Sequence, residues 1–248
     1  MEWTRKQLSQ HRQAAQLLEG IKNEAFSKVA SALAAGKKVT EHDICLSIIE
    51  QFQKNNLVVD KDPPIVAFGA SAAQPHYNPI DNGQRVIERG NVLLLDIWAK
   101  LNDPDAPFAD ITWMAWTGGP MPADVQKAFD AVIIARDAGL RFLEKNMSDE
   151  LIGEDVDNVV RGSLKARGLD AFFIHGTGHH LDIDSVHGPG YNFKQKDERT
   201  LLPLTGATIE PGVYVEGKFG IRSECDVFLE KRGIEITTPL QMAWVVLE

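Results

Sequence analysis

Phe172 to Gly190 reads F-F-I-H-G-T-G-H-H-L-D-I-D-S-V-H-G-P-G, and it gathers His175, His179, His180 and His187 into 13 residues of a chain that has seven histidines in all. Two aromatics lead in, which predicts that the segment leaves a buried strand. Gly176 and Gly178 let the backbone turn tightly and come close to a ligand. Imidazole is the commonest protein metal ligand and the usual acid or base near neutral pH. Alone, such a segment could be a His-rich surface loop.

Carboxylates elsewhere argue for more than that. Asp96 ends the apolar run N-V-L-L-L-D-I-W, and Asp110 sits in F-A-D-I-T-W. Glu210 lies in A-T-I-E-P-G-V-Y, and Glu224 in G-I-R-S-E-C-D-V-F. An ionised carboxylate inside an apolar strand is costly unless it is paired or holds a metal. One such residue is usually a strand end that reaches water. Four of them, together with a histidine cluster, point to a metal centre.

The rest of the chain builds two similar halves. Leu8, Ala15, Leu18, Ile21, Ala25, Val29 and Leu33 predict a long helix from Thr4 to Ala35. Thr40 and Asp43 form a capping box for a second helix, with Ile44, Ile48, Ile49 and Phe52 on its apolar face. Pro63-Pro64 breaks the chain before the strand I-V-A-F-G. A polar loop with P-H-Y-N-P spans 71–82, and strands are predicted over 92–99 and 109–116. A third helix runs from Pro120 to about Asn146, its apolar face interrupted by Arg136. A fourth starts near Gly153 and is closed by Gly168. After the histidine segment come strands around 207–216, 220–230 and 239–247. Asp96 and Asp110 are 14 residues apart, as are Glu210 and Glu224, and each pair flanks a turn. The repeated order of helix, helix, strand, His-bearing loop and acid-bearing hairpin implies an internal duplication, with a site fed by both halves. The expected fold is α+β, a single domain over 1–248 with halves of about 1–118 and 119–248 and no separate N-terminal domain.

Four carboxylates with imidazole suit two adjacent divalent cations, which polarise a carbonyl and make a hydroxide at neutral pH. Oxygen-rich ligation with one His favours Mn²⁺, Fe²⁺, Co²⁺ or Zn²⁺. By strand alternation Arg222, Glu224 and Asp226 point one way, and Ser223 and Cys225 the other. Cys225 is therefore expected to be packing rather than a ligand.

These motifs, H-G-T-G-H, T-I-E-P-G-V-Y, G-I-R-S-E and the two strand aspartates, resemble the pita-bread metallopeptidases. That superfamily holds the methionine aminopeptidases, Xaa-Pro aminopeptidases and prolidases, and the likeness covers nearly the whole chain. It implies an antiparallel sheet covered by helices on one side, in two pseudo-symmetric halves. It implies that Asp96 chelates one metal, that His179 and Glu210 hold the other, and that Asp110 and Glu224 bridge them, with Mn²⁺ the expected ion. A hydroxide between the metals would attack the scissile carbonyl, with Glu210 shuttling protons. His76 in P-H-Y and His187 in V-H-G match the family's outer histidines, which bind substrate and stabilise the tetrahedral intermediate. His175 matches a position on the proline side, and Arg222 would hold an acid in place. Departures are present too. Trp98 stands where the family has glycine, the spacing of the two aspartates is longer than usual, and one extra residue separates His179 from His187.

P-H-Y, H-G-T-G-H and R-x-E favour the Xaa-Pro branch and a short peptide substrate. A methionine or broad-specificity aminopeptidase is the alternative, and a non-catalytic or creatinase-like pita-bread protein is the third reading. The net charge of −9 argues against nucleic-acid or anionic-membrane partners. The two cysteines, Cys45 and Cys225, offer neither a disulfide framework nor a thiolate metal site, so a reducing cytoplasm is expected. A homodimer is expected from the family alone.

Overall fold

The computed structural model describes residues 2–148 and 150–248. The first half contains α1 (Arg5–Ala34), α2 (Glu41–Lys54), β1 (Leu57–Val58), β2 (Ile65–Phe68), α3 (Pro79–Asn82), β3 (Val92–Leu101) and β4 (Ala109–Trp116). The second contains α4 (Ala123–Asn146), α5 (Gly153–Lys165), β5 (Gly178–Leu181), β6 (Asn192–Phe193), β7 (Thr205–Ile209) and β8 (Gly212–Val215). It continues with β9 (Phe219–Arg222), β10 (Cys225–Leu229), β11 (Ile234–Ile236) and β12 (Val245–Val246). Both N-terminal helices start on capping boxes. The Thr4 side chain accepts from Gln7 N, and the Thr40 side chain from Asp43 N at 3.1 Å. Each satisfies backbone donors that a helix end leaves unpaired.

Strand alternation explains why one sheet can have a greasy side and a chemical side. On β3, Leu93, Leu95, Ile97 and Ala99 join α1 and α2 in one buried cluster with Leu18, Ile21, Ile44 and Phe52. Each such Leu or Ile contributes roughly 1.5–3 kcal/mol by leaving water. The alternate residues Leu94, Asp96 and Trp98 therefore face the interior between the halves, as do Asp110, Thr112 and Met114 on β4. The second half repeats the scheme. Ala207, Ile209, Cys225, Val227 and Leu229 pack with Leu140, Leu143 and Val156 of the helices, which turns Thr208 and Asp226 inward. In β5, His180 pairs with Ala207 and shares its face, so His179 takes the opposite, inward face.

In the first half β2–β3–β4 are antiparallel neighbours, and in the second β5–β7–β10 are. The two halves are stitched where the inward faces meet. Glu224 N donates to Thr112 O at 3.2 Å, and Asp110 N donates to Asp226 Oδ2 at 2.8 Å.

Several sequence expectations are corrected. The aromatics before the histidines do not end a strand. Asp170–Phe172 is a 3-10 turn, and the strand begins only at Gly178. The expected strands over 207–216 and 220–230 are each broken, at Glu210-Pro211 and at Ser223-Glu224. Proline has no N–H for a ladder, so the long hairpin bends there and splits between two sheets. The region 71–82 is not simply loop, for it holds a 3-10 turn over Gly69–Ala73 and the short α3. The sheet is not wholly antiparallel, because β12 runs parallel to β4. Only Val245–Val246 of 239–247 is strand; nearby, Gln241 uses its side-chain amide to bond Met114 N and O at 2.8 and 2.7 Å.

Candidate metal centre

Asp110, His179 and Glu224 each offer a ligand atom, and these atoms lie within 4.8 Å of one another. His179 Nε2 stands 3.8 Å from Asp110 Oδ2 and 3.5 Å from Glu210 Oε1. Asp96 lines the same cavity. All five expected ligands are thus brought to one place. Their backbones explain it. Asp96 and Asp110 come from the inward face of the β3–β4 hairpin, on adjacent rows: Asp96 opposes Thr112, and Trp98 opposes Asp110. Glu210 and Glu224 occupy the two breaks just beyond the last β7–β10 pair, Ile209–Cys225, where the chain bends toward the first half. His179 comes from β5, which approaches β7 very closely: a Cβ on Gly178 would stand 2.1 Å from Thr208 O.

The electrostatics fit cations. Asp110, Glu210 and Glu224 are held above the ordinary carboxylate range, first by burial and then by neighbouring acids; Glu210 reaches about 7. His179 is lowered to about 3 by burial and by His187, so its ring is neutral at pH 7 with a lone pair to give. Asp110 Oδ1 is buried and has no partner within the described residues. Among those residues, Arg222 is the cation paired within this acid cluster, through an ion pair with Asp96. Four carboxylates with one guanidinium lack positive charge, and a neutral imidazole beside them completes an oxygen-rich set for divalent ions.

Around the acids runs a hydrogen-bonded frame. Arg222 Nε donates to Thr112 Oγ1 at 2.9 Å, and that hydroxyl donates to Glu224 Oε2 at 2.6 Å. Arg222 Nη1 donates to Tyr214 OH at 3.1 Å, which meets His175 Nε2 at 2.7 Å. His175 is therefore joined to the acids through Tyr214 and Arg222. Its pKa falls to about 3 through burial and the Arg222 charge. The outer histidines are exposed and line the cavity mouth. The His187 ring lies 4.1 Å from that of His179, centroid to centroid, so the extra residue between them does not carry it away.

Sequence reasoning missed the supports. Asp157 of α5 accepts from Thr177 N and Oγ1 at 3.1 and 2.8 Å, and Arg161 donates to the carbonyls of Phe173 and His175. Together they hold the H-G-T-G-H turn. Glu41 accepts from Phe68 N at 2.6 Å and Tyr77 OH at 2.7 Å, which fixes the loop carrying His76. Their signal was weak: each is a polar residue on an otherwise ordinary helix.

The cavity of about 350 Å³ beside these acids opens into a smaller one of about 160 Å³, and Glu210, Arg222, His76, His179 and His187 line both. An α+β shell in two pseudo-symmetric halves, with an acid-and-histidine centre at their seam, is the architecture of the pita-bread metallopeptidases. Metallopeptidase family M24 matches residues 9–231, and the chain belongs to that family. An Xaa-Pro dipeptidase of Pyrococcus furiosus is 25% identical over 218 residues, which cover 88% of this chain and 58% of that protein. The X-Pro aminopeptidase structure from Thermotoga maritima superposes with a TM-score of 0.81 at 30% identity, covering 99% of this chain and 64% of that one. The X-prolyl aminopeptidase of Caenorhabditis elegans, described as a cytosolic enzyme with a di-nuclear active site, gives a TM-score of 0.82 at 25% identity, covering 97% and 40%. The chain spans about half the length of the curated relatives it matches, 52% and 48% for two of them. No helix among the described residues is long and apolar enough to cross a membrane.

Proposed function

We propose that the protein is a dinuclear metallo-exopeptidase that removes the N-terminal residue from short peptides at Xaa-Pro bonds. The observation that carries this reading is the convergence of Asp96, Asp110, Glu210 and Glu224 with a neutral His179 at the floor of one cavity. The Xaa-Pro enzymes among its relatives support the substrate class, and the di-nuclear site of the nematode enzyme supports two ions.

Asp96 would hold one cation and His179 with Glu210 the other, while Asp110 and Glu224 face both. Two divalent cations, Mn²⁺ being our expectation, supply Lewis acidity toward a carbonyl and a nucleophile from water at neutral pH. Glu210, beside His179 and open to the cavity, accepts the proton released on attack and returns it to the departing amine. His76 and His187 donate hydrogen bonds to the substrate's carbonyl oxygens from the cavity mouth. His175, at the wall of the smaller lobe, contacts the prolyl side. Arg222 holds Asp96 through its ion pair and reaches Glu224 through Thr112, so it sets the geometry of both acids.

Hydrolysis of Ala-Pro, Ala-Pro-Ala, Met-Ala-Ser and Ala-Ala-Ala by the protein reloaded with Mn²⁺, Co²⁺ or Zn²⁺ tests the reading. Metal-dependent cleavage before proline is expected. Cleavage of Met-Ala-Ser alone would move the protein to the methionine branch. No cleavage with any ion would leave the non-catalytic reading in its place. We further propose that the chain acts as one domain in the cytoplasm and pairs as a homodimer, which sedimentation of the purified protein would check.

A further inference from the structure

The cavity has two unequal lobes that share His76, His179, His187, Glu210 and Arg222 in their walls. The larger is walled by Trp98, Ile65 and Val186 and carries Asp60, Lys61 and Asp62 beside Asp96, Asp110 and Glu224, so acids outnumber bases in its lining. The smaller is walled by His175 and Asn192 and carries Lys194. Charge assigns the two ends of a peptide. The free α-ammonium of a first residue is matched by the acids of the larger lobe. The carboxyl side is matched by the Lys194 ammonium. A scissile bond over the acids therefore puts the first side chain against Trp98.

Trp98 is placed to decide what fits. It lies two residues beyond Asp96 on the inward face of β3 and directly opposite Asp110 on β4. It belongs to the buried cluster that also holds Ile65, Phe108 and Val186, and 9% of the residue stays exposed. The structure behind the ring is tied down. Lys100 Nζ donates to Ile183 O at 2.5 Å, Phe108 N to Asp182 O at 3.1 Å, and Asp60 Oδ2 accepts from Ser185 Oγ at 2.7 Å and Val186 N at 3.1 Å. These bonds fasten the β3–β4 hairpin tip and the 58–64 connection to the segment before His187, so the wall cannot easily swing aside. The whole lobe in front of it holds about 350 Å³, which the first residue must share with the ions.

We propose that Trp98 sets the size limit of the subsite for the substrate's first residue, restricting it to small side chains such as those of glycine, alanine and serine. This rests on the exopeptidase reading above and adds the selectivity of its first position. Rejection of a larger apolar side chain by a fixed wall is worth about 10–200-fold in kcat/KM. Proline selectivity, by contrast, resides in the other lobe and is independent of Trp98.

The test compares two ratios within each variant, so that incomplete metal loading or partial unfolding cancels. The Mn²⁺-loaded wild type, Trp98→Ala and Trp98→Phe are assayed on Ala-Pro, Leu-Pro, Phe-Pro and Ala-Ala. Wild type should favour Ala-Pro over Leu-Pro at least tenfold. Trp98→Ala should reduce that ratio at least tenfold, with Trp98→Phe between. The ratio of Ala-Pro to Ala-Ala should stay within twofold in all three. An Ala-Pro to Leu-Pro ratio that moves less than threefold in both variants overturns the assignment. Loss of the proline ratio together with the size ratio would overturn it too, since Trp98 would then be shaping the whole centre. Cleavage by wild type without preference for proline would defeat only the Xaa-Pro reading, and the Leu-to-Ala comparison would still judge Trp98. No hydrolysis of any peptide would overturn both.

Discussion

Replacing Arg222 with methionine should show how strongly the acids depend on their guanidinium. Its side chain is 4% exposed and that of its partner Asp96 11%, so the pair is buried. Burial works against the Arg222 charge, yet Tyr214, Asp96, Glu210 and Glu224 together hold its pKa above the ordinary value. Removing one partner of a buried pair costs about 3–5 kcal/mol. For a chain of this size roughly 2–4 °C of melting temperature goes with each kcal/mol. Chelated Arg222→Met should therefore melt about 6–20 °C below the chelated wild type at pH 8. The deficit must shrink in acid. Asp110, Glu210 and Glu224 bind protons more tightly folded than unfolded. Their contribution to stability is therefore complete below the ordinary carboxylate range and is lost as pH rises through their folded values, about 7 for Glu210. Without Arg222 those values climb further, so the penalty grows with pH. Scanning calorimetry from pH 4 to 8 reads this directly. A variant that melts within about 2 °C of wild type at pH 8, or whose deficit widens as pH falls, would refute the reasoning.

The centre yields further expectations. Asp110→Ala or Glu224→Ala should lower kcat/KM by more than the roughly 10–100-fold typical of outer partners, with the folded circular-dichroism spectrum retained and fewer ions bound by elemental analysis. Full activity in either would sink the shared-ligand assignment. Cation binding should release protons: Glu210 remains protonated up to about 7, so Mn²⁺ affinity should weaken from pH 8 to pH 6. Calorimetry in two buffers of different ionisation enthalpy must then give different apparent heats. Gly178→Ala should displace β5 from Thr208 O, a contact of 2.1 Å for the added carbon, and cut Mn²⁺ affinity even if the protein folds. Thr40→Ala should cost about 1 kcal/mol in denaturant titration with catalysis unchanged, because it removes only the α2 cap.

Much of this was legible wherever a residue type has a single local job. Thr40 and Asp43 announced the start of α2, and Ala109–Trp116 is a strand with the predicted bounds. Arg136 was visible as an interruption of an apolar face. In the structure it is fully buried and donates to Ser223 Oγ and Gln241 O, both at 2.8 Å. What stayed hidden depends on partners distant in sequence. His11 and Lys22 lie on the inner face of α1, which periodicity assigns to apolar residues. His11 bonds Phe108 O at 2.8 Å, and the Lys22 ammonium sits 3.4 Å from the centre of the Trp113 ring. Phe172 and Phe173 look alike in sequence, yet Phe173 is buried and Phe172 exposed, at the end of a 3-10 turn where a strand was expected. The bend at Pro211 was readable from proline itself. That the bend would send β8 and β9 into a separate two-stranded sheet was not.

The seam between the halves passes through the donor set. Asp96 and Asp110 precede the glycine pair at 118–119, while His179, Glu210 and Glu224 follow it. On the proposed assignment, neither portion alone holds the full set of ligands. In a chain nicked at Gly118–Gly119, a divalent ion would thus act as an assembly signal and a chelator as a dissociating agent. Ion occupancy becomes a gauge of whether the two portions are docked.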